Sequence, residues 1–138
     1  MTLVVDSNVA LKWVLEEEGT DQALQLLTRT LLAPELLQAE VGNTLTKRVR
    51  GRELVPEQAV RAFDKVMTLV RLVSGREFGQ VALELSLALN HSIYDCYFLA
   101  AAEKHGPLVT ADGVFATKVR ATRYGRLIYL LGEEIPVD

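Results

Sequence analysis

Leu3-Val4-Val5-Asp6-Ser7-Asn8, at one end of the chain, and Leu108-Val109-Thr110-Ala111-Asp112, near the other, carry the reading of the fold. Each is a short apolar, β-branched run that ends in a carboxylate and leads at once into a helix-like pattern. Strands buried on both faces of a parallel sheet have this composition. In such sheets ligands collect in the crevice beyond the carboxyl ends of the strands, so aspartates ending neighbouring strands would face one pocket.

The intervening sequence alternates between helical and strand patterns. Thr2 to Asp6 is expected as the first strand, with Ser7 or Asn8 capping a helix to about Glu16 that carries Val9, Trp13 and Leu15 and is closed by Gly19. A second helix over 20–29 turns Ala23, Leu24, Leu26 and Leu27 inward, and Leu31-Leu32-Ala33 forms a second strand. Pro34 suits the first turn of a third helix, which runs to Arg50 with Leu37, Val41, Leu45 and Val49 spaced by four, and stops at Gly51. Glu40 lies at the border of that stripe. Pro56 opens a fourth helix to about Arg71 with Ala59, Phe63, Val66 and Val70 inward, completing a helical hairpin. A fifth helix ends near Leu89. A sixth runs from Ser92 to His105 and exits at Gly106. Leu108 to Ala111 is a strand, Asp112 to about Thr122 a short helix, and Arg126 to Leu131 a last strand. Strands so widely separated cannot pair as hairpins. The expected fold class is α/β: a mostly parallel sheet, right-handed crossovers, helices on both faces and an excess of helix.

A chain of 138 residues has the length of one domain, 1–138, with enough surface to bury a real core. Its 49% hydrophobic and 24% charged residues fit a globular protein and not a disordered one. The apolar stretches are too short to span a membrane, and the N-terminus enters a strand without the regions of a secretion signal, so the expectation is a cytoplasmic protein. Cys96 is alone and sits in an apolar helix, which makes it a packing residue. His91 and His105 do not have the spacing of a zinc pair, so any metal is expected on oxygen ligands. A net charge of −3 argues against a protein that coats nucleic acid through bulk electrostatics.

Four carboxylates stand out: Asp6, Glu40, Asp95 and Asp112. Singly, each has an ordinary account. Asp6 and Asp112 stand where a helix dipole favours negative charge, Asp95 completes a Ser92-x-x-Asp95 capping box, and Glu40 is a helix-edge residue. A parallel sheet changes the weighting, because it brings Asp6 and Asp112 to one end, near the start of the sixth helix. Two carboxylates ~4 Å apart repel by ~4 kcal/mol at an effective dielectric of 20, so a cluster needs raised pKa values or a cation. Oxygen ligands of this kind suit Mg²⁺ or Mn²⁺.

At these residues the sequence resembles the PIN-domain ribonucleases, in particular the VapC-type toxins of toxin–antitoxin pairs. The stretches that carry the resemblance are Val4-Val5-Asp6-Ser7-Asn8, Pro34 to Asn43, Tyr94-Asp95-Cys96-Tyr97-Phe98-Leu99-Ala100 and Val109 to Phe115, and the resemblance extends over nearly the whole chain. The resemblance implies a three-layer α/β/α domain and a Mg²⁺- or Mn²⁺-dependent site built from Asp6, Glu40, Asp95 and Asp112. Ser7, Asn8 and Thr110 would orient waters or ligands. It further implies an RNA substrate, a homodimer and a small antitoxin whose arginine could enter the acidic cluster. Some relatives carry another acid just after the fourth, whereas Gly113 to Ala116 supply none. Phosphate contacts are expected from among Lys12, Lys47, Arg48, Arg50, Arg52, Lys118, Arg120 and Arg123.

Two other functions compete. An aspartyl-phosphate phosphatase would also place an acid after its first strand, but its usual second aspartate would fall at Asn8, and no well-placed lysine follows a later strand. A catalytically inactive PIN-like module that binds a partner or RNA would keep the acids as helix caps. Dinucleotide-binding and P-loop sites fail for want of glycines after the first strand.

Overall fold

In the computed structural model, which describes residues 1–137, five strands form one sheet in the order β3-β2-β1-β4-β5. The strands are β1 (Thr2–Val5), β2 (Thr30–Pro34), β3 (Arg71–Val73), β4 (Leu108–Thr110) and β5 (Ile128–Leu130). All four pairings are parallel, with Val4 opposite both Leu32 and Leu108, and Val5 opposite Val109. The helices are α1 (Ser7–Ala10), α2 (Thr20–Gln25), α3 (Leu36–Arg50), α4 (Pro56–Leu69), α5 (Gly79–Leu89), α6 (Ile93–His105) and α7 (Gly113–Arg120). The result is the expected α/β/α arrangement. Among the described residues no helix is long and apolar enough to cross a membrane.

The strand order follows from what must be buried. Leu3, Val4 and Val5 of β1 and Leu108 and Val109 of β4 are inaccessible to solvent, as strands covered on both faces must be. α6 lies over β1, β2 and β4 and buries Cys96, Phe98, Leu99 and the Ala100-Ala101-Ala102 run, whose small side chains let the helix approach the sheet closely. Its exit depends on Gly106. There φ is +144°, and a Cβ would stand 2.0 Å from the Thr2 carbonyl oxygen. α3 and α4 form the expected hairpin, with Leu37, Val41 and Leu45 buried from the first and Val66 from the second. Val49, Ala59 and Phe63 are only partly covered, and Leu24 faces solvent at 41% exposure, against the inward placement expected for it.

Several boundaries differ from expectation for local reasons. The first helix ends at Ala10 and tightens into one 3₁₀ turn over Leu11–Trp13, well short of Glu16. Three successive glutamates, Glu16 to Glu18, would oppose the negative end of its dipole. Instead Thr20 accepts from the Glu17 N–H and donates to the Leu15 carbonyl, while the Trp13 indole donates to the Ala23 carbonyl at 2.9 Å. The second helix likewise tightens after Gln25 into a turn over Leu26–Thr28. Pro34 belongs to β2 and not to α3. Pairing with β1 ends at Leu32, so no donor is asked of Pro34, and the N–H of Glu35 continues the ladder to the Val73 carbonyl. Val70 leaves the helical region (φ −132°, ψ 139°), so α4 ends at Leu69 and Arg71–Val73 becomes β3, a strand the helical reading had absorbed. At the far end, Arg123–Leu127 is a 3₁₀ turn, and only Ile128–Leu130 pairs with β4.

Candidate metal centre

β1 and β4 are neighbours at the point where the chain, having added strands to one side of β1, begins adding them to the other. Their carboxyl ends therefore open on the crevice in which α/β sheets hold ligands. Asp6 immediately follows β1, and its N–H donates to the Val109 carbonyl, which places Thr110 beside it. Asp6 is 2% exposed. One carboxylate oxygen, Oδ1, accepts from the Ser7 N–H at 2.8 Å. The other, Oδ2, accepts from the Thr110 hydroxyl at 2.9 Å and from the Asn8 amide at 3.4 Å.

Thr110, itself fully buried, links the two strand ends. Its oxygen accepts from the backbone N–H of Asp112 at 3.1 Å while its proton goes to Asp6. The Asn8 carbonyl accepts from the Ala111 N–H at 3.0 Å, and its amide reaches Thr110 Oγ1 at 3.3 Å. These bonds occupy the position where a phosphatase would carry its second aspartate, and they give Asn8 a positioning task. Asp112 caps α7 by accepting from the Phe115 N–H at 3.0 Å.

Glu40 and Asp95 approach from the helices. Glu40, on α3 one turn beyond Leu36 and Leu37, is half-buried, and its Oε1 is buried without a hydrogen-bond partner. Asp95 does not close the capping box expected at the start of α6. Ser92 caps through the Tyr94 N–H, while Asp95 Oδ2 lies 2.6 Å from His91 Nε2. Asn90, at φ +50°, turns the chain so that His91 faces its own helix.

His91 stands next to the acids, a neighbour that the reading of oxygen ligands alone did not include. Ligand atoms of His91, Asp95 and Asp112 lie within 4.8 Å of one another, a spacing suited to one cation. The sequence signal for it is local, a histidine four positions before Asp95, a spacing outside any zinc-pair pattern. Asp6 and Glu40 stand as a second pair, tied to this trio through the field of Asp95.

That field is visible in the acidities. Asp6 is raised from the ordinary 3.8 to about 7, chiefly by burial, then by the negative charge of Asp95, and less by Glu40; the bonds from Thr110 and Ser7 oppose the rise. Glu40 is also raised, first by burial and then by Asp95, with the Ser7 side chain acting the other way. No lysine or arginine forms an ion pair with any of the four acids among the described residues. A buried Asp6 and a half-buried Glu40 with an orphan oxygen, both repelled by Asp95 and with no lysine or arginine partner among the described residues, form a donor set that fits a hard divalent cation. Cys96 is pushed up to about 11 by burial and then by Asp95, in keeping with a packing role.

The matching family model is that of the PIN domain, over residues 3–120. The chain belongs to the PIN-domain family. Among solved structures it resembles PAE2754 from Pyrobaculum aerophilum, with a TM-score of 0.71 and 22% identity over 93% of this chain and 83% of that one. It also resembles VapBC2 from Rickettsia felis, solved with a fragment of promoter DNA, at TM-score 0.65 and 13% identity over 94% and 98% of the two chains. A third is VapC20 from Mycobacterium tuberculosis, described as a toxin cleaving the sarcin-ricin loop, at TM-score 0.63 and 18% identity over 83% and 93%. At these identities the likeness is one of fold. No curated protein sequence matches the chain. The PIN model reaches Arg120, so it includes all four acids, Ser7, Asn8, Thr110 and His91.

Proposed function

We propose that this PIN domain is a Mg²⁺- or Mn²⁺-dependent endoribonuclease, the toxin of a toxin–antitoxin pair, acting as a single cytoplasmic domain of residues 1–138. The observation that carries the reading is Asp6: buried, repelled by Asp95 and Glu40, and without a basic partner among the described residues. Asp6, Asp95 and Asp112 would hold the cation, with Glu40 as a ligand or as the group that steers the attacking water.

A bound divalent ion would offset the acidic charge, acidify a water and stabilise the phosphoryl oxygens of RNA. The remaining work falls to the chain. Thr110 keeps Asp6 and Asp112 in fixed relation by serving both at once. Asn8 and the Ser7 N–H hold the rotamers of the strand ends. Glu40, with an oxygen free of partners and an affinity for protons raised by burial, takes the proton of a water attacking phosphorus. The ester P–O bond opposite that water then breaks.

Among the expected phosphate contacts, Lys12 is committed to Glu17, Arg48 to Glu17 and Glu53, and Arg120 to Glu133. That leaves Lys47, Arg50, Arg52, Lys118 and Arg123 without ion pairs among the described residues; Lys118 donates to the Asn90 carbonyl and Arg123 to the Tyr124 hydroxyl, so Lys47, Arg50 and Arg52, near the end of α3, are the less committed cations. The structure also has an apolar groove of about 370 Å³ between α3 and α4, lined by Leu45, Val49, Ala59, Val60 and Phe63, which supports a protein partner such as an antitoxin. A homodimer accords with exposed Leu83 and Leu87 on α5.

Cleavage of a structured RNA by purified protein with Mn²⁺, compared with Asp6→Asn and Asp112→Asn, tests the proposal. Activity that requires the metal and both acids is expected. Undiminished cleavage by both variants would refute it. The inactive-module reading gains from the fact that Asp6 and Asp112 do cap helices. It predicts no Mn²⁺ uptake, which calorimetric titration decides.

A further inference from the structure

We propose that His91 is a positioning residue for Asp95, locked in one tautomer by Lys118, and not itself a metal ligand. The inference deepens the metal-dependent reading above and rests on it.

The argument begins with the second ring nitrogen. Lys118, on α7, donates to the Asn90 carbonyl at 3.1 Å and stands 3.2 Å from His91 Nδ1. An ammonium group has only protons to offer, so Nδ1 must present its lone pair. The ring proton then sits on Nε2 and is donated to Asp95 Oδ2 at 2.6 Å, an assignment made from the bonding partners. For Nε2 to ligate a cation, the proton would have to move to Nδ1, where it would point at the ammonium. Lys118 therefore opposes the ligand role that the spacing of His91, Asp95 and Asp112 would otherwise allow.

The rest of the ring's surroundings serve the same end. His91 stacks on Phe115 with centroids 4.5 Å apart and planes at 28°. Phe115 follows Asp112 on the same turn and supplies the N–H that this acid accepts. The backbone of His91 is held from both sides by Ser86, whose hydroxyl donates to the His91 carbonyl at 2.6 Å while the His91 N–H donates to the Ser86 carbonyl at 3.2 Å. Ring plane, tautomer and backbone are thus all fixed. Asp95 consequently has one oxygen committed to His91, which leaves Oδ1 as the oxygen it can offer a cation. Partners of this kind fix ligand orientation, and their loss typically costs about 10–100-fold in metal affinity.

Two measurements on the full chain test this. The long-range ¹H–¹⁵N spectrum of the metal-free protein should show His91 protonated on Nε2 and bare on Nδ1; a proton on Nδ1, or on both nitrogens, overturns the proposal. Mn²⁺ titration should then separate the variants. His91→Phe keeps the stacking and loses the donor, and should bind at least about tenfold more weakly, whereas His91→Gln keeps a donor amide and should stay within about threefold of the wild type. Equal losses in both variants would make His91 a ligand, and wild-type affinity in His91→Phe would make it mere packing; either overturns the proposal. A wild-type chain that takes up no Mn²⁺ removes the metal-dependent reading itself and is thereby distinguishable from both.

Discussion

Replacing Asp6 by Asn should change how the stability of the metal-free protein depends on pH. Asp6 is raised from 3.8 to about 7 in the folded chain, so the folded state holds this proton more tightly than the unfolded state does. The favourable contribution is therefore complete below pH 3.8, is lost progressively as pH rises, and is gone above about 7. Each pH unit in that interval is worth about 1.4 kcal/mol, giving on the order of 4 kcal/mol for the whole rise. Asp6→Asn has no such proton to lose. It exchanges the oxygen that accepts from Thr110 and Asn8 for an amide, a fixed penalty of roughly 1–3 kcal/mol at every pH. Urea denaturation in a chelator at pH 4.5 and pH 8 isolates the effect as the difference between variants. The wild type should be the more stable at the lower pH and the less stable at the higher, a change of several kcal/mol in their difference. Saturating Mn²⁺ at pH 8 should raise the wild type by ~2.7 kcal/mol at a hundredfold excess over Kd, enough to bring it about level with the variant or above it, while the variant should gain far less. Parallel curves for the two proteins across this range would show that Asp6 carries no burdened charge, and the electrostatic case for a cation would fall with it.

Thr110→Val should destabilise the protein by roughly 1–3 kcal/mol, because a buried N–H of Asp112 and an oxygen of Asp6 lose one partner together. The same change should move Asp6 still higher, since the Thr110 bond is what lowers it; denaturation curves at several pH values read both effects. Gly106→Ala should cost more than the ~1–3 kcal/mol of unfavourable backbone conformation alone, because the new Cβ meets the Thr2 carbonyl oxygen head-on. A drop in melting temperature of only a degree or two would contradict that.

Much of the site was legible because its geometry is set by strand ends. Once Leu3 to Asp6 and Leu108 to Asp112 are read as neighbouring parallel strands, Asp6 and Asp112 are expected at one end of the sheet; the register sets Asp6 beside Thr110, whose hydroxyl ties it to the Asp112 N–H. α3 was equally legible from its four-residue spacing, whereas Val70 to Val73 was not. The pattern of α4 continues smoothly into them, and only pairing with β2 draws them out as a strand. Asp95 lies within ligand spacing of Asp112, and the capping box that was its ordinary account does not form. The capping-box pattern is satisfied in sequence, but a turn at Asn90 delivers His91 to the carboxylate, and a bond to an imidazole N–H held by Lys118 displaces the bond to its own helix terminus. Sequence spacing could not reveal that, because Lys118 lies on a different helix 27 residues from His91.

The most direct test of the account is anomalous diffraction at the manganese edge from crystals grown with Mn²⁺. A peak is expected at the carboxyl ends of β1 and β4, among Asp6, Glu40, Asp95 and Asp112, with carboxylate oxygens in its coordination sphere. Manganese bound only elsewhere on the surface, with these four acids unchanged and uncoordinated, would contradict it.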